Sequence, residues 1–360
     1  MRFTGLVLMA LVAGCVTSNP PQAQAPGTPV AATSPAPATP VPPVSPSPTW
    51  TLGLGPTAVS TVDFSCRIPL YVDIGPAIPG AFIEFPSGTV TRDPSAGAVP
   101  AEQPGREVVA YTSVRYFDRA YGVWLPASRN EVSPDGSRYA YTDRATADAQ
   151  DPSARATLHV FDVKARSEQT FDGGPWAHPY EVLDYTIDGI YLIRAFDRFG
   201  GLWRMDPTTG ALARIAENIN VQGVAGANAI WAGILNPDDL HPVAGFVPDE
   251  LDRLSLPDGG RVPWLYTPGR AVYLLGHDVD GHLIVFVAGQ NDPGELRLVF
   301  APGVSQSIWV FGNQIPVPSN PISDQHGIWF GSADGLFLYT RVSGMQKVSN
   351  QPGYPGNGCF

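Results

Sequence analysis

Beyond Trp50 the apolar residues fall into short runs, and the polar residues between them cluster at turns. Arg138–Thr142 reads RYAYT, 157–163 TLHVFDV, 189–196 GIYLIRAF, 202–206 LWRMD, 282–288 HLIVFVA, 296–301 LRLVFA, 307–311 SIWVF, 327–332 GIWFGS and 335–340 GLFLYT. These runs are rich in Val, Ile, Phe, Tyr and Trp and are bounded by Asp-Gly, Pro-Asp-Gly and Pro-Gly, the composition of strands joined by tight turns. A helical 3.6-residue period is almost absent. The pattern predicts an all-β domain: a sandwich, a barrel or a propeller.

A repeat separates these possibilities. A glycine precedes an aromatic or aliphatic strand at Gly136, Gly189, Gly226, Gly281 and Gly327, at intervals of 53, 37, 55 and 46 residues. The mean is close to 48 residues, which suits one four-stranded blade with its loops. Gly88 in FPSGTV sits one period earlier as a weaker sixth phase. The expected fold is therefore a β-propeller of six blades, with seven or five as alternatives. In such a fold each glycine permits the positive φ of a tight connection. Alternate side chains such as Tyr139 and Tyr141 pack between blades, and Trp203, Trp231, Trp309 and Trp329 belong to the inter-blade core.

Two segments carry a family likeness. Ser133-Pro134-Asp135-Gly136-Ser137-Arg138-Tyr139-Ala140-Tyr141 resembles the repeat of WD-like propellers of the TolB type. Asp324-Gln325-His326-Gly327-Ile328-Trp329-Phe330-Gly331, with Asp334 to Tyr339 after it, resembles a blade of two-component-regulator propellers. The resemblance implies a propeller and an exported interaction or scaffold role. Both motifs build a blade, so no site residue carries over from them.

The N-terminal end has a different composition. Arg2 precedes an apolar run, Leu6 to Ala13, too short for a bilayer span of about 20 residues but long enough for a signal-peptide core. Val12-Ala13-Gly14-Cys15 resembles a bacterial lipobox, which implies diacylglyceryl modification of Cys15. Residues 1–14 then form a lipoprotein signal peptide. Residues 15–50 form a lipidated, Pro-, Ala- and Thr-rich linker with eleven prolines between positions 20 and 48 and no charge between Arg2 and Asp63. A stretch of this kind favours an extended, polyproline-like tether. Residues 51–360 form the propeller. Palmitate-type anchoring would hold the chain on the outer face of the cell membrane, or in the periplasm or outer membrane of a diderm.

Composition adds limits. The formal charge is -11, from 22 basic and 33 acidic residues, which disfavours nucleic acid as a partner. Linear signatures of catalysis (GxSxG, HExxH, a P-loop, GxGxxG opening a helix) are missing. Ser133 to Gly136 lacks the spacing and tryptophan of a sialidase Asp box. His277, Asp278, Asp280 and His282 make the densest polar cluster. Zinc takes such ligands, whereas the plainer role of an Asp here is to cap the turn. No cofactor is expected.

The expected binding face is the one holding the second-to-third strand connections and the links between blades. Placed there are the Thr142–Thr157 loop, Asp197, Arg198, Asp238, Asp239, His241, Asn291 and Asp292, with Trp176, His178 and Tyr180 at a blade junction. Three functions stay open: a non-catalytic module binding a protein or glycan at the cell surface, a lyase or glycoside hydrolase with its site on that face, and a sensor or assembly component of an envelope complex. A monomer is expected. With Cys15 committed to lipid, Cys66 and Cys359 remain, in DFSCRIP and GNGCF, in an oxidising compartment. A closed ring brings its ends together, so a disulfide between them is expected to clasp the closure.

Overall fold

In a computed structural model the strands run in one repeating pattern around a common axis. The structure describes residues 58–71, 80–95, 116–144, 156–172, 180–194, 201–217, 219–234, 248–289, 294–310 and 321–360. The expected signal peptide, Cys15 and the expected linker lie outside these residues. Among them no helix is long and apolar enough to cross a membrane.

Blade 1 contains β1 (Cys66–Tyr71), β2 (Ala81–Phe85) and β3 (Thr89–Arg92). A hairpin, β4 (Tyr116–Asp118) and β5 (Val123–Leu125), precedes blade 2, which is β6 (Arg138–Arg144), β7 (Ala156–Asp162) and β8 (Ser167–Asp172). An antiparallel bridge from Val132 to Tyr139 supplies the inner edge of blade 2. Blade 3 is β9 (Tyr180–Thr186), β10 (Gly189–Arg194), β11 (Leu202–Met205) and β12 (Leu212–Ala216). Blade 4 is β13 (Asn220–Val224), β14 (Ala229–Ile234), β15 (Glu250–Ser255) and β16 (Arg261–Tyr266). Blade 5 is β17 (Arg270–His277), β18 (Leu283–Gly289), β19 (Glu295–Ala301) and β20 (Val304–Val310). Blade 6 is β21 (Ile322–Asp324), β22 (Gly327–Ser332), β23 (Gly335–Thr340) and β24 (Gly344–Ser349), and β25 (Tyr354–Pro355) follows it. The pairing is antiparallel within each blade.

The ring closes through β25, which pairs with β1 as the inner strand of blade 1, so that one sheet is built from both chain ends. Gly356 N–H donates to the Pro69 carbonyl at 2.8 Å, and Arg67 and Phe360 exchange two backbone hydrogen bonds of 2.9 and 3.0 Å. Cys66 and Cys359 form the expected disulfide, 293 residues apart in sequence. The six-bladed propeller is thus the observed fold.

Burial follows the position of a strand within its blade. The second strand is sandwiched between neighbouring blades: β18, LIVFVAG, is buried from Leu283 to Val287. Outer strands face solvent, as β8 does over Ser167–Gln169 and β3 over its full length. The four tryptophans lie in the inter-blade core. Trp203 packs with Leu158 and Val160 of blade 2, Trp231 with Val272 and Val285 of blade 5, Trp309 with Phe330 and Phe337 of blade 6, and Trp329 with Ile68 and Ile83 of blade 1.

Two expectations need correction, and one element is new. Gly88 links β2 to β3, the third and fourth strands of blade 1. It is two strands out of phase with the other glycines, because the inner strand of that blade arrives from the opposite chain end. The Thr142–Thr157 loop is shorter than read, since β6 runs on to Arg144 and β7 starts at Ala156. The β4–β5 hairpin was not expected. It fills the space between blades 1 and 2, with Phe117 and Trp124 packed on Tyr71 and Phe82 and Leu125 on Tyr139.

Candidate functional site: the axial channel

Radial sheets turn the free edge of each inner strand towards the axis. Unpaired strand-edge peptide groups must find partners there. The channel they enclose has a volume of about 940 Å³ and takes wall residues from all six blades and from Tyr116 of β4. It reaches the face of the glycine turns, where Ile187 and Val279 stand on its rim and are 91% and 61% exposed.

Side-chain amides tie inner strands to one another and to the segments beside them along the wall. Gln222 on β13 donates to the Val272 carbonyl at 3.0 Å and accepts from Leu274 N–H at 2.7 Å. Asn130 donates to the Leu183 carbonyl at 2.8 Å. Asn357 donates to Phe117 O and to the Tyr116 hydroxyl, both at 2.9 Å. Each amide satisfies edge groups that the ladder leaves open. Trp231 Nε1–H donates to His277 Nε2 at 3.2 Å, and burial holds this imidazole below its ordinary pKa. Ser323 Oγ, on the wall, has no hydrogen-bond partner and is screened from solvent.

Two charged groups on the wall differ from these. Arg129, in the short 3-10 turn Arg129–Glu131, is exposed and sits over the Tyr116 ring at 5.5 Å from its centroid. Among the described residues no carboxylate lies within ion-pair distance of it. Asp184 on β9 has its pKa pushed up to about 6 by burial, opposed by the positive charge of Arg129 and a hydrogen bond from the Tyr185 backbone. Burial also raises Glu181 and Tyr185 on the same strand.

The His277–His282 segment occupies the end of β17 and the turn into β18. Asp278 Oδ1 accepts from the backbone N–H groups of Asp280 at 2.9 Å and His282 at 2.8 Å, closing the turn. Asp278, Asp280 and His282 present ligand atoms within 4.8 Å of one another, and His277 stands outside that group. A guanidinium already lies among them. Arg341 Nη2 from the β23–β24 turn is 3.3 Å from Asp278 Oδ2, 2.9 Å from Asp280 Oδ2 and 2.8 Å from His282 Nδ1. The cluster therefore joins blade 5 to blade 6 as a charge network. His326 also lies near Cys66 and Cys359, whose sulfurs are committed to each other.

Of the loop residues expected to bind, Trp176, His178, Asp197, Arg198, Asp238, Asp239, His241, Asn291 and Asp292 lie outside the described residues. Tyr180 opens β9 opposite Arg194. The channel wall described here reaches the opposite face, that of the glycine turns. Arg129, Tyr116, Asp184 and Gln222 were not among the sequence candidates. A signal for several of them exists: the wall is drawn from positions about four to seven before each repeat glycine, as with Asp184 before Gly189, Gln222 before Gly226 and His277 before Gly281.

No family model and no curated protein matches the chain. Solved structures do. TolB from Acinetobacter baumannii aligns over 81% of this chain and 65% of its own, with TM-score 0.45 and 11% identity. The tricorn protease aligns over 81% of this chain and 27% of its own, with TM-score 0.43 and 11% identity. The β-propeller domain of the Trilobed protease from Pyrococcus furiosus aligns over 80% and 86%, with TM-score 0.39 and 11% identity. This chain therefore spans less than two thirds of the TolB chain and about a quarter of the tricorn protease chain. The propeller assignment rests on sheet order and closure, not on these likenesses.

Proposed function

We propose that this protein is a lipid-anchored, extracytoplasmic propeller that acts as a non-catalytic binding or scaffold module, with the axial channel as its ligand site. The observation that carries the reading is the channel itself. Six blades contribute to one concave, mixed polar and apolar wall of a volume usual for ligand sites, about 300–1,000 Å³. Its rim is apolar, and its amides lock the wall in shape before any ligand arrives. The anchor rests on Val12 to Cys15, and the proline-rich linker would carry the propeller clear of the bilayer. Two acyl chains supply the two-signal attachment that stable anchoring needs.

The test uses the full chain in intact cells. Val279→Trp and Ile187→Trp change exposed rim positions, so the fold should survive, which circular dichroism checks. Crosslinked capture of a partner, or retention on a glycan array, should fall at least tenfold in the double variant. Capture unchanged by the rim substitutions would move the site off the channel.

A further inference from the structure

We infer that the axial channel is a carboxylate-recognition site for a small amphiphilic organic acid, with Arg129 as the cation that takes the carboxylate. This rests on the channel being the ligand site and adds the chemical class of its ligand.

Arg129 is the first support. Several described arginines are spent on carboxylates: Arg270 with Glu295 at 2.5 Å, Arg214 with Glu217 at 2.6 Å, Arg67 with Glu84 at 3.1 Å, Arg341 within its cluster. Arg129 is held over an aromatic ring on a cavity wall without a carboxylate at ion-pair distance. The cation–π contact with Tyr116 uses the face of the ring and leaves the guanidinium N–H fork available, and that fork matches a carboxylate in two parallel hydrogen bonds. Its nearest acidic neighbour in the turn, Glu131, is spent on the Ser128 N–H at 2.6 Å.

The rest of the wall decides what carries the carboxylate. Leu183, Leu274, Leu275 and Val279 give the channel wall a large apolar share, and its amides are already tied into hydrogen bonds with backbone groups. An acid with an apolar body fits that surface better than a polyhydroxylated one, whose hydroxyls would lose water for few open partners.

Asp184 gives the site a pH dependence. Its carboxylate shares the wall with Arg129 and repels a second anion when ionised. The titratable or charged groups on the elements around it include Arg129 and Tyr116 on the preceding elements, Asp135 and Arg138 beside Tyr185, Glu181 and Tyr185 on β9, and, on the channel wall of blade 5, His277 at the end of β17 and Asp278 in the turn after it. Falling pH protonates Asp184, whose pKa is raised to about 6, which removes the repulsion while the ligand's own carboxylate, at a lower pKa, stays ionised.

The experiment is equilibrium titration of the full chain in detergent with benzoate and hexanoate, each beside its neutral carboxamide, and with glucuronate and an acetylated Glu-Glu dipeptide as other carboxylate sources. Benzoate or hexanoate should bind at least tenfold more tightly than the matching amide. Arg129→Gln should abolish that ratio, and Arg129→Lys should restore part of it. Binding should strengthen severalfold from pH 7.5 to pH 5.5, and Asp184→Asn should flatten the change. Equal binding of acid and amide, or an acid preference that survives Arg129→Gln, overturns the proposal. Preference for glucuronate or the dipeptide over the apolar acids overturns the ligand class. Absence of binding by every probe overturns the proposal too, and leaves the channel reading to stand or fall on the rim variants.

Discussion

Asp184 shows how a single side chain ties channel shape to stability. Its pKa is raised in the folded state to about 6 by burial, above the ordinary value near 4. A raised carboxyl binds its proton more tightly folded than unfolded, so the fold gains stability as pH falls from about 6 to about 4 and carries the cost of the buried charge above that window. Asp184→Asn should therefore stabilise the protein at pH 7.5 by ~1–2 kcal/mol, after allowance for partial exposure, and have little effect at pH 4. Urea unfolding at the two pH values reads this, and equal effects at both would refute the assignment. Asp324 makes a second residue-scale case. Its carboxylate accepts from His326 N–H at 2.8 Å, Trp329 Nε1–H at 2.8 Å and Cys359 N–H at 2.6 Å. It thus binds the first turn of blade 6 to the closing segment. Asp324→Ala strands buried donors at about 1–3 kcal/mol each, so a loss of ~3 kcal/mol or more is expected in the same measurement.

Elements meet at distances that only the smallest residue allows where the closing segment crosses β22. Gly331 lies in β22 with an unexceptional backbone, yet a Cβ there would collide with the Gly353 carbonyl and the Tyr354 Cα. Gly331→Ala should push β25 from its place and cost ~2–4 kcal/mol, in the range of overpacking with a backbone shift. Gly281 offers the contrast: a Cβ at that turn meets nothing within 4 Å, although its φ of +83° favours glycine. Ala there should cost about 1 kcal/mol, from backbone strain alone. A Gly281→Ala variant as damaging as Gly331→Ala, by thermal unfolding, would contradict the closure geometry.

At the scale of the molecule, one seam is held by something other than continuous chain. Blade 1 draws three strands from the N-terminal side and its inner strand from the C-terminal side, and the disulfide spans the join. In the chain-entropy model a crosslink over 293 residues restricts the unfolded chain by about 5–6 kcal/mol, and residual structure lowers the practical figure to ~3 kcal/mol. Cys66→Ser and Cys359→Ser should each lower stability by that amount, and the double variant by no more than either. Thiol labelling of the unfolded, unreduced protein should find neither cysteine reactive. Two reactive thiols would remove the clasp. The anchor is tested separately: Cys15→Ser should leave the chain unprocessed or released, and a mature N-terminus other than a lipidated Cys15 would dismiss it.

Sequence alone determined the strands, the blade repeat and the pairing of Cys66 with Cys359. Each of these depends on local or topological facts: alternation along a strand, a glycine needed for positive φ, and two cysteines at the ends of a chain that must close. Three of the four core tryptophans, Trp203, Trp231 and Trp329, were legible for the same reason, since an aromatic in a second or third strand has a neighbouring blade on either side; Trp309 lies in the outer strand β20 and packs on blade 6 all the same. The site was not legible. Arg129, Tyr116 and Asp184 come from three elements, and the one signal in the sequence, the place of Arg129 and Asp184 a few residues before a repeat glycine, marks an inner-strand position and not a ligand site. Their meaning arises when inner strands turn their edges to a shared axis, so that burial raises one carboxyl and an arginine stands on the same wall with no carboxylate of the described residues at ion-pair distance. Gly88 fell out of phase on the same account. Its blade takes an inner strand from the far end of the chain, and a period read along the sequence has no term for a strand that arrives through space.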